Sequence, residues 1–547
     1  MKPLAAWPIL ITLLSATSIS IPAANAQSPL SDKCAAIAKL TLPQTTIDSA
    51  REIPAGALPQ QQPFSKTPTQ SEKYKQLPAF CRVQATLKPS SDSDIKIEVW
   101  LPTANWNGKF RGQGNGGFAG EIDYDHLAWS IMQGYATGGT DTGHTGAGTD
   151  ARWALNHPEK IADFGHRAVH EMTEKSKAIA AAYYGSPATH SYFASCSDGG
   201  REALMEAQRY PADYDGILAG APANNWSHLL SNAGYNAHIF AADPAAYIPP
   251  SKVPAIASAV LAACDKLDGL SDGILNDPRQ CRFDPGTLLC KSGDSDSCLT
   301  APQVAAMKQL YAGAQDAQGH LIFPGYLPGS EIGPNGWTSW ITGIAPGQSL
   351  MTAFSSGFFT NMVYDNPSWD LKSFRVDDGL QRAVEKTAQS LDSTNPDLKP
   401  FIRRGGKLIL YHGWNDPAIS ALNTVDYYQN VLATTGKSQA ESAVRLYMLP
   451  GVQHCFLGPG ADSFGQFGWA PETPLSDPQH DMYSALEQWV EHNQAPSTIV
   501  ATKYEGEASS RHVKMTRPLC PYPQAAKYNG SGDPNSASSF TCANPAP

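Results

Sequence analysis

Ser191-Tyr-Phe-Ala-Ser195-Cys196-Ser197-Asp198-Gly199-Gly200-Arg-Glu202-Ala-Leu-Met-Glu-Ala-Gln208 decides the fold. Ser191–Ala194 reads as a short buried strand. Two glycines then make a tight turn, and Glu202 onward reads as a helix. A strand, a small-residue turn and a helix place the turn serine where its hydroxyl is exposed at the end of a sheet. Gly216-Ile-Leu-Ala-Gly220 reads as the next strand, and His166–Tyr184, just before, has apolar residues at helical spacing. Ile95, Ile97 and Val99 alternate with Lys96 and Glu98, a strand pattern. Lys407-Leu-Ile-Leu-Tyr411 and Arg445-Leu-Tyr-Met-Leu449 are two further strands. Strands alternating with helices predict an α/β protein, a mostly parallel sheet with helices on both faces.

Between these blocks the character changes. From Asn224 to about Asp397 the chain is rich in Trp, Gly, Pro and Ser, and regular βα units are not legible. A sheet interrupted by such a stretch predicts a core with a large inserted lid. The expected organisation is a leader over 1–26, core over 27–223, lid over 224–396 and core again over 397–547. The leader reads from Lys2, an apolar run from Leu4 to Leu14, and the small-x-small site Ala24-Asn25-Ala26. That run is short for a membrane span, so cleavage and export, to the periplasm or the medium, are expected. The Pro/Gln/Ser-rich stretch from Ile53 to Gln70 reads as a surface extension.

Composition narrows the function. The 547 residues carry a formal net charge of -10 and 16% charged residues, which argues against a nucleic-acid partner. The ten cysteines are even in number and contain no Cys-x-x-Cys pair, so disulfides are expected rather than zinc or thioredoxin-like chemistry. The glycine loop Gly112-Gln-Gly-Asn-Gly-Gly117-Phe-Ala-Gly120 lacks the spacing of a dinucleotide or phosphate loop, and no organic cofactor is expected.

A serine hydroxyl needs a base, an acid to orient the base, and donors for the oxyanion. Ser197 follows a strand. Asp416, in His412-Gly-Trp-Asn-Asp416, lies beyond the strand ending at Tyr411. His454, in Gly451-Val-Gln-His454-Cys455, lies beyond the strand ending at Leu449. Their chain order, Ser then Asp then His, is that of α/β-hydrolases. His144, His412 and His480 compete as bases and Asp141 as acid; each alone also reads as an ordinary core or surface residue. The cysteines discriminate. Cys196 precedes Ser197 and Cys455 follows His454, so if serine and histidine meet in space, a Cys196–Cys455 bridge follows.

The Cys-Ser-x-Gly-Gly turn, the late Asp and the His-Cys pair resemble the tannase and feruloyl esterase family. So do Trp106-Asn-Gly-Lys-Phe110, Arg404-Gly-Gly-Lys-Leu-Ile-Leu-Tyr-His-Gly413 and Arg517-Pro-Leu-Cys-Pro-Tyr-Pro523. Within the family they resemble in particular the branch with mono(2-hydroxyethyl) terephthalate hydrolases. The likeness implies an α/β-hydrolase core with a lid, hydrolysis of small aromatic esters, and a Ser197–His454–Asp416 triad. It implies an oxyanion hole at the N–H groups of Gly117 and Asp198. It also implies lid calcium at Asp265, Asp268 and Asp272 with the carbonyls of Leu270 and Ile274, a hard oxygen donor set. The other implied disulfides are Cys264–Cys281, Cys290–Cys298, Cys34–Cys81 and Cys520–Cys542.

Three departures from the family pattern stand out; the first concerns the nucleophile turn, which needs a small residue, and the other two bear on substrate. Ser195 stands where the family often has Gly. Leu350-Met-Thr-Ala-Phe354-Ser355 has leucine where the terephthalate branch carries a lid arginine, and Ile419 stands where an aromatic can occur. Trp340 and Phe354 can stack a hydroxycinnamate or gallate ring, with Ser355 and Ile419 beside them, or can be plain lid core. Three readings follow: a feruloyl-esterase-like or tannase-like enzyme, a terephthalate mono-ester hydrolase, and a catalytically silent, calcium-stabilised binding protein on a hydrolase scaffold.

Overall fold

The computed structural model describes residues 29–64, 72–466, 477–506 and 510–544; the leader expected over 1–26 lies outside the described residues. The main sheet has nine strands: β1 (Thr45–Ile53), β2 (Phe80–Leu87), β3 (Ile95–Pro102), β4 (Lys109–Gln113), β5 (Ala136–Thr140), β6 (His190–Cys196), β7 (Gly216–Gly220), β8 (Lys407–Gly413) and β9 (Val444–Leu449). Their order is β1-β2-β3-β5-β4-β6-β7-β8-β9. The pairings from β1 to β5 are antiparallel, and those from β5 to β9 are parallel.

Strand periodicity explains how the sheet is covered. Phe193, Ile217, Leu408 and Leu410 pack into one core with helices α1 (Ala168–Tyr184), α2 (Asp198–Arg209) and α3 (Ala421–Thr435). The alternate residues Tyr192, Leu218, Ile409 and Tyr411 pack into a second core with Leu486 and Trp489 of α4 (Met482–His492). Successive side chains point to opposite faces, so strands buried on both faces read as continuous apolar runs. This is the α/β-hydrolase architecture expected from the alternation of elements.

Two features differ from the sequence reading. Ile53, Leu58 and Gln62, read as a surface extension, are buried. They cover the outer face of β2 and β3, where Ile53 and Leu58 join Phe80, Trp100 and Leu127 in a small core. The same covering buries Glu98, which accepts from Arg82 Nη2 at 2.6 Å and Nε at 2.8 Å. Both side chains are at most 1% exposed. Removing one partner of such a pair costs about 3–5 kcal/mol, because the other charge stays buried.

Between β7 and β8 the chain leaves the sheet and builds the insertion around its own core, which includes Leu230, Phe240, Trp337, Phe358 and Phe374. Five disulfides join Cys34–Cys81, Cys196–Cys455, Cys264–Cys281, Cys290–Cys298 and Cys520–Cys542. No helix among the described residues is long and apolar enough to cross a membrane.

Candidate active site

Ser197 sits between β6 and α2 with φ +66°, a left-handed conformation rare for a side-chain-bearing residue. Close packing holds the turn there. Ser197 N–H donates to the Gly220 carbonyl at 3.0 Å, and Ala223 N–H donates to the Ser197 carbonyl at 3.0 Å. The two glycines are required by space. A Cβ on Gly199 would lie 1.9 Å from Ser195 Oγ, and one on Gly200 would lie 2.3 Å from the Gly220 carbonyl oxygen.

The ends of β8 and β9 supply the partners. His454 Nε2 lies 2.8 Å from Ser197 Oγ, and His454 Nδ1 lies 2.7 Å from Asp416 Oδ2. An ionised carboxylate only accepts, so Nδ1 carries the hydrogen and the Nε2 lone pair faces the serine hydroxyl. Asp416 Oδ1 accepts from the N–H groups of Ala418 at 2.7 Å and Ile419 at 2.9 Å. Burial alone would push Asp416 up. The charge of His454 and the hydrogen bonds from His412 and His454 outweigh it and hold the carboxyl well below the usual carboxylate range. The Cys196–Cys455 bridge spans a Cα–Cα distance of 6.0 Å beside this chain of contacts.

Asp198 opens α2, so its N–H lies in the first turn, which has no partner within the helix. Gly117 has φ +61°, and a Cβ there would lie 2.3 Å from the Gly148 carbonyl oxygen. Both residues line the same cavity as Ser197 and His454. That cavity, about 90 Å³, is walled by Trp226, Leu229, Trp340, Phe354 and Ile419, and no Lys or Arg lines it among the described residues. Trp340 and Phe354 stack with ring centroids 6.1 Å apart, and Trp340 meets the His454 ring edge-on at 5.0 Å. A second, wider cavity of about 380 Å³ shares Gly117, Ser197, Trp340, Phe354 and His454 with the first and extends past Asn115, Asp123, Asn335 and Phe456. This arrangement can transfer an acyl group: a serine within hydrogen-bond reach of a histidine, a carboxylate that orients that histidine, and an apolar slot lined also by Gly117 and Asp198.

A family model described as tannase and feruloyl esterase matches residues 81–543. The chain belongs to the tannase and feruloyl esterase family. It is therefore a carboxylic ester hydrolase by descent. An uncharacterized esterase of Xanthomonas campestris pv. campestris is 39% identical over 98% of this chain and 94% of its own length. A probable feruloyl esterase B-2 of Aspergillus flavus is 36% identical over 81% of this chain and 83% of its own. The crystal structure of an Aspergillus oryzae esterase superposes with a TM-score of 0.86 at 30% identity, covering 94% of this chain and 100% of that one. Aspergillus niger tannin acyl hydrolase shares the fold, with a TM-score of 0.72 at 23% identity over 94% of this chain and 96% of its own.

Of the competing residues, His412 meets Asp416 at 3.0 Å, while His144, Asp141 and His480 make other contacts. His144 is buried against Trp153, with Nε2 2.8 Å from the Phe118 carbonyl, and burial pushes it down to about 4. Asp141 accepts from Lys96 and Gly143 N–H, and burial pushes it up to about 7. His480 pairs with Asp477 at 3.0 Å. Ser355 does not line the slot; it is buried and donates to the Thr352 carbonyl at 3.3 Å. Leu350 opens the helix Leu350–Phe358.

Several contributors came from stretches without a readable motif. Trp226, Leu229 and Tyr326 line the slot. Asn335 Nδ2 donates to the His454 carbonyl at 3.1 Å, while its Oδ1 accepts from Trp340 Nε1 at 2.7 Å, tying the insertion to the base. Glu202 Oε2 accepts from Asn115 N–H at 2.9 Å and so braces the glycine loop.

The acidic loop of the insertion turns at Gly269 and Gly273, both at positive φ. Asp265, Asp268 and Asp272 each accept a backbone N–H through Oδ1, from Gly273, Leu270 and Ile274. Arg517 Nη2 lies 2.5 Å from Asp272 Oδ2. Burial, followed by the repulsion of neighbouring carboxylates, pushes Asp268 up. The residue types are those of a hard oxygen donor set. In this geometry, however, the three carboxylates are not among the groups of described residues whose ligand atoms lie within 4.8 Å of one another, and Arg517 already faces Asp272.

Proposed function

We propose that this chain is an exported serine carboxylesterase that hydrolyses esters of neutral aromatic acids, as feruloyl esterases and tannases do. The observation that carries the reading is the hydrogen-bonded series from Ser197 Oγ through His454 to Asp416, opening onto an aromatic slot. His454 takes the Ser197 proton as Oγ attacks the acyl carbon. The amides of Gly117 and Asp198 hold the oxyanion. His454 then protonates the departing alcohol and later activates water, while Asp416 orients the ring and offsets its charge.

The slot supports the substrate class. Trp340 and Phe354 offer flat apolar faces to an acyl ring. A second carboxylate on that ring would meet no Lys or Arg among the described residues of the wall, which favours hydroxycinnamates and gallates over terephthalate mono-esters. The wider cavity suits the alcohol part. Five disulfides suit an oxidising compartment, consistent with cleavage after Ala26 and export. Calcium held by Asp265, Asp268, Asp272 and the carbonyls of Leu270 and Ile274 would staple the insertion and leave the chemistry to the triad.

Purified protein and Ser197→Ala are assayed on methyl ferulate, methyl gallate and mono(2-hydroxyethyl) terephthalate. Turnover of the first two that vanishes in Ser197→Ala, with slower release of terephthalate, is expected. Absence of Ser197-dependent turnover on all three would refute the reading. Faster turnover of the terephthalate ester would overturn the substrate class.

A further inference from the structure

Asp416 Oδ2 has two histidine partners. His454 approaches at 2.7 Å, and His412 Nε2 approaches the same oxygen at 3.0 Å. We propose that His412 is a positioning residue for ester hydrolysis, whose Nε2–H fixes the Asp416 carboxylate so that it can orient His454. This inference rests on the Ser197–His454–Asp416 reading.

The protonation of the ring follows from its partners. His412 Nε2 faces two atoms that only accept, Asp416 Oδ2 and the Ile419 carbonyl at 3.1 Å. Nε2 must therefore carry the hydrogen. Nδ1 lies 2.8 Å from Thr424 Oγ1 on α3, so in the neutral ring the hydroxyl donates to it. One helix thus sets the tautomer, and the tautomer sets the bond to Asp416. His412 lies on β8, paired in register with Met448 of β9, and is fully buried, so the ring has a fixed mount.

The carboxylate's acceptor capacity is then used up. Oδ1 takes the N–H groups of Ala418 and Ile419, and Oδ2 takes both histidines. A carboxylate has about four lone-pair sites. With all four engaged, Asp416 cannot swing away from His454. Without His412, one lone pair of a buried anion loses its donor, and the group can rotate or draw in water. A histidine that merely filled core space would need no donor here. His412 directs its hydrogen away from Ser197, so it does not compete with His454 as base.

The test compares three substitutions for their kinetics on methyl ferulate. His412→Gln can put an amide N–H where Nε2 was. His412→Asn puts its amide near the Nδ1 position, too short to reach Asp416. His412→Ala removes both. Ala and Asn variants are expected to lose kcat by about 10- to 100-fold with KM within about 2-fold, the range for groups that orient a functional residue. Gln should recover most of kcat. The low-field proton resonance of the His454–Asp416 hydrogen bond should persist in the Gln variant and shift or broaden in the Asn variant. Equal kcat in Gln and Asn variants, with an unchanged resonance, overturns the proposal; that pair decides it even if the Ala variant fails to fold. Ser197→Ala runs alongside. If it retains turnover, the triad reading has failed; if it is inactive while all His412 variants match the parent, only the role of His412 has failed.

Discussion

Replacing both Cys196 and Cys455 by alanine should lower stability and uncouple the base from the nucleophile before the protein unfolds. The bridge links residues 259 positions apart. In the chain-entropy relation, closing a loop of that size is worth about 5.6 kcal/mol at 25 °C, while natural bridges deliver about 2–4 kcal/mol. The nested bridges, 17 and 8 residues in separation, shorten the effective loop little. Their logarithmic effect is about 0.1 kcal/mol. The expected loss is therefore about 2–5 kcal/mol. Geometry adds a second effect. The bridge stands between the residue before Ser197 and the residue after His454, and a displacement of about 1 Å costs on the order of 100-fold in rate. Urea titration followed by tryptophan fluorescence and by hydrolysis of methyl ferulate reads both effects. In the double variant, activity should disappear at lower urea than the fluorescence transition, and kcat in water should fall. A Cys520→Ala/Cys542→Ala control removes a bridge of separation 22 and should spare kcat. A Cys196→Ala/Cys455→Ala protein with parental kcat and one coincident parental transition would refute the reasoning.

Gly117→Ala forces a Cβ to 2.3 Å from the Gly148 carbonyl at a positive φ, so the glycine loop must move; kcat should drop on the order of 100- to 1000-fold, measured at saturating ester. Trp340→Ala removes an aromatic wall of the slot and should raise KM for methyl ferulate more than for methyl acetate, read from initial rates. Glu331 is buried and pushed up to about 7, so the folded chain keeps its proton where the unfolded chain releases it. Stability should therefore fall as pH rises from about 4.5 to about 7, by about 3 kcal/mol from this group, and Glu331→Gln should flatten that slope in urea midpoints. Chelation with EDTA should lower the melting midpoint, and added calcium should restore it in a concentration-dependent way; an unchanged midpoint at every calcium concentration would remove the ion from the account.

The sheet and the candidate site were legible in the sequence to different depths. Ser197, Asp416 and His454 stood out because each follows a strand whose apolar run shows burial on both faces. Cys196 and Cys455 added a constraint that links two distant segments. The buried packing of Ile53–Gln62 was not legible, because its polar composition resembles a loop and its partners, Phe80 and Trp100, lie on later strands. Glu98 looked like the polar side of an alternating strand; its pairing with Arg82 depends on which strand lies beside it. In the insertion, packing replaces periodicity, so Trp226, Tyr326 and Asn335 carried no pattern that marks a wall or a brace. Ser355 shows the converse: proximity to Phe354 in sequence placed it at the slot, yet one residue of helix rotation turns it into the core.

The most direct test of the central claim is intact and peptide mass spectrometry after reaction with a fluorophosphonate ester analogue, which forms a stable adduct only on an activated serine. The account predicts one adduct per chain, on the peptide containing Ser197, with hydrolysis lost in step with labelling and no adduct in Ser197→Ala. Labelling at another residue, or full hydrolytic activity in a protein that Ser197→Ala leaves unlabelled, would contradict it.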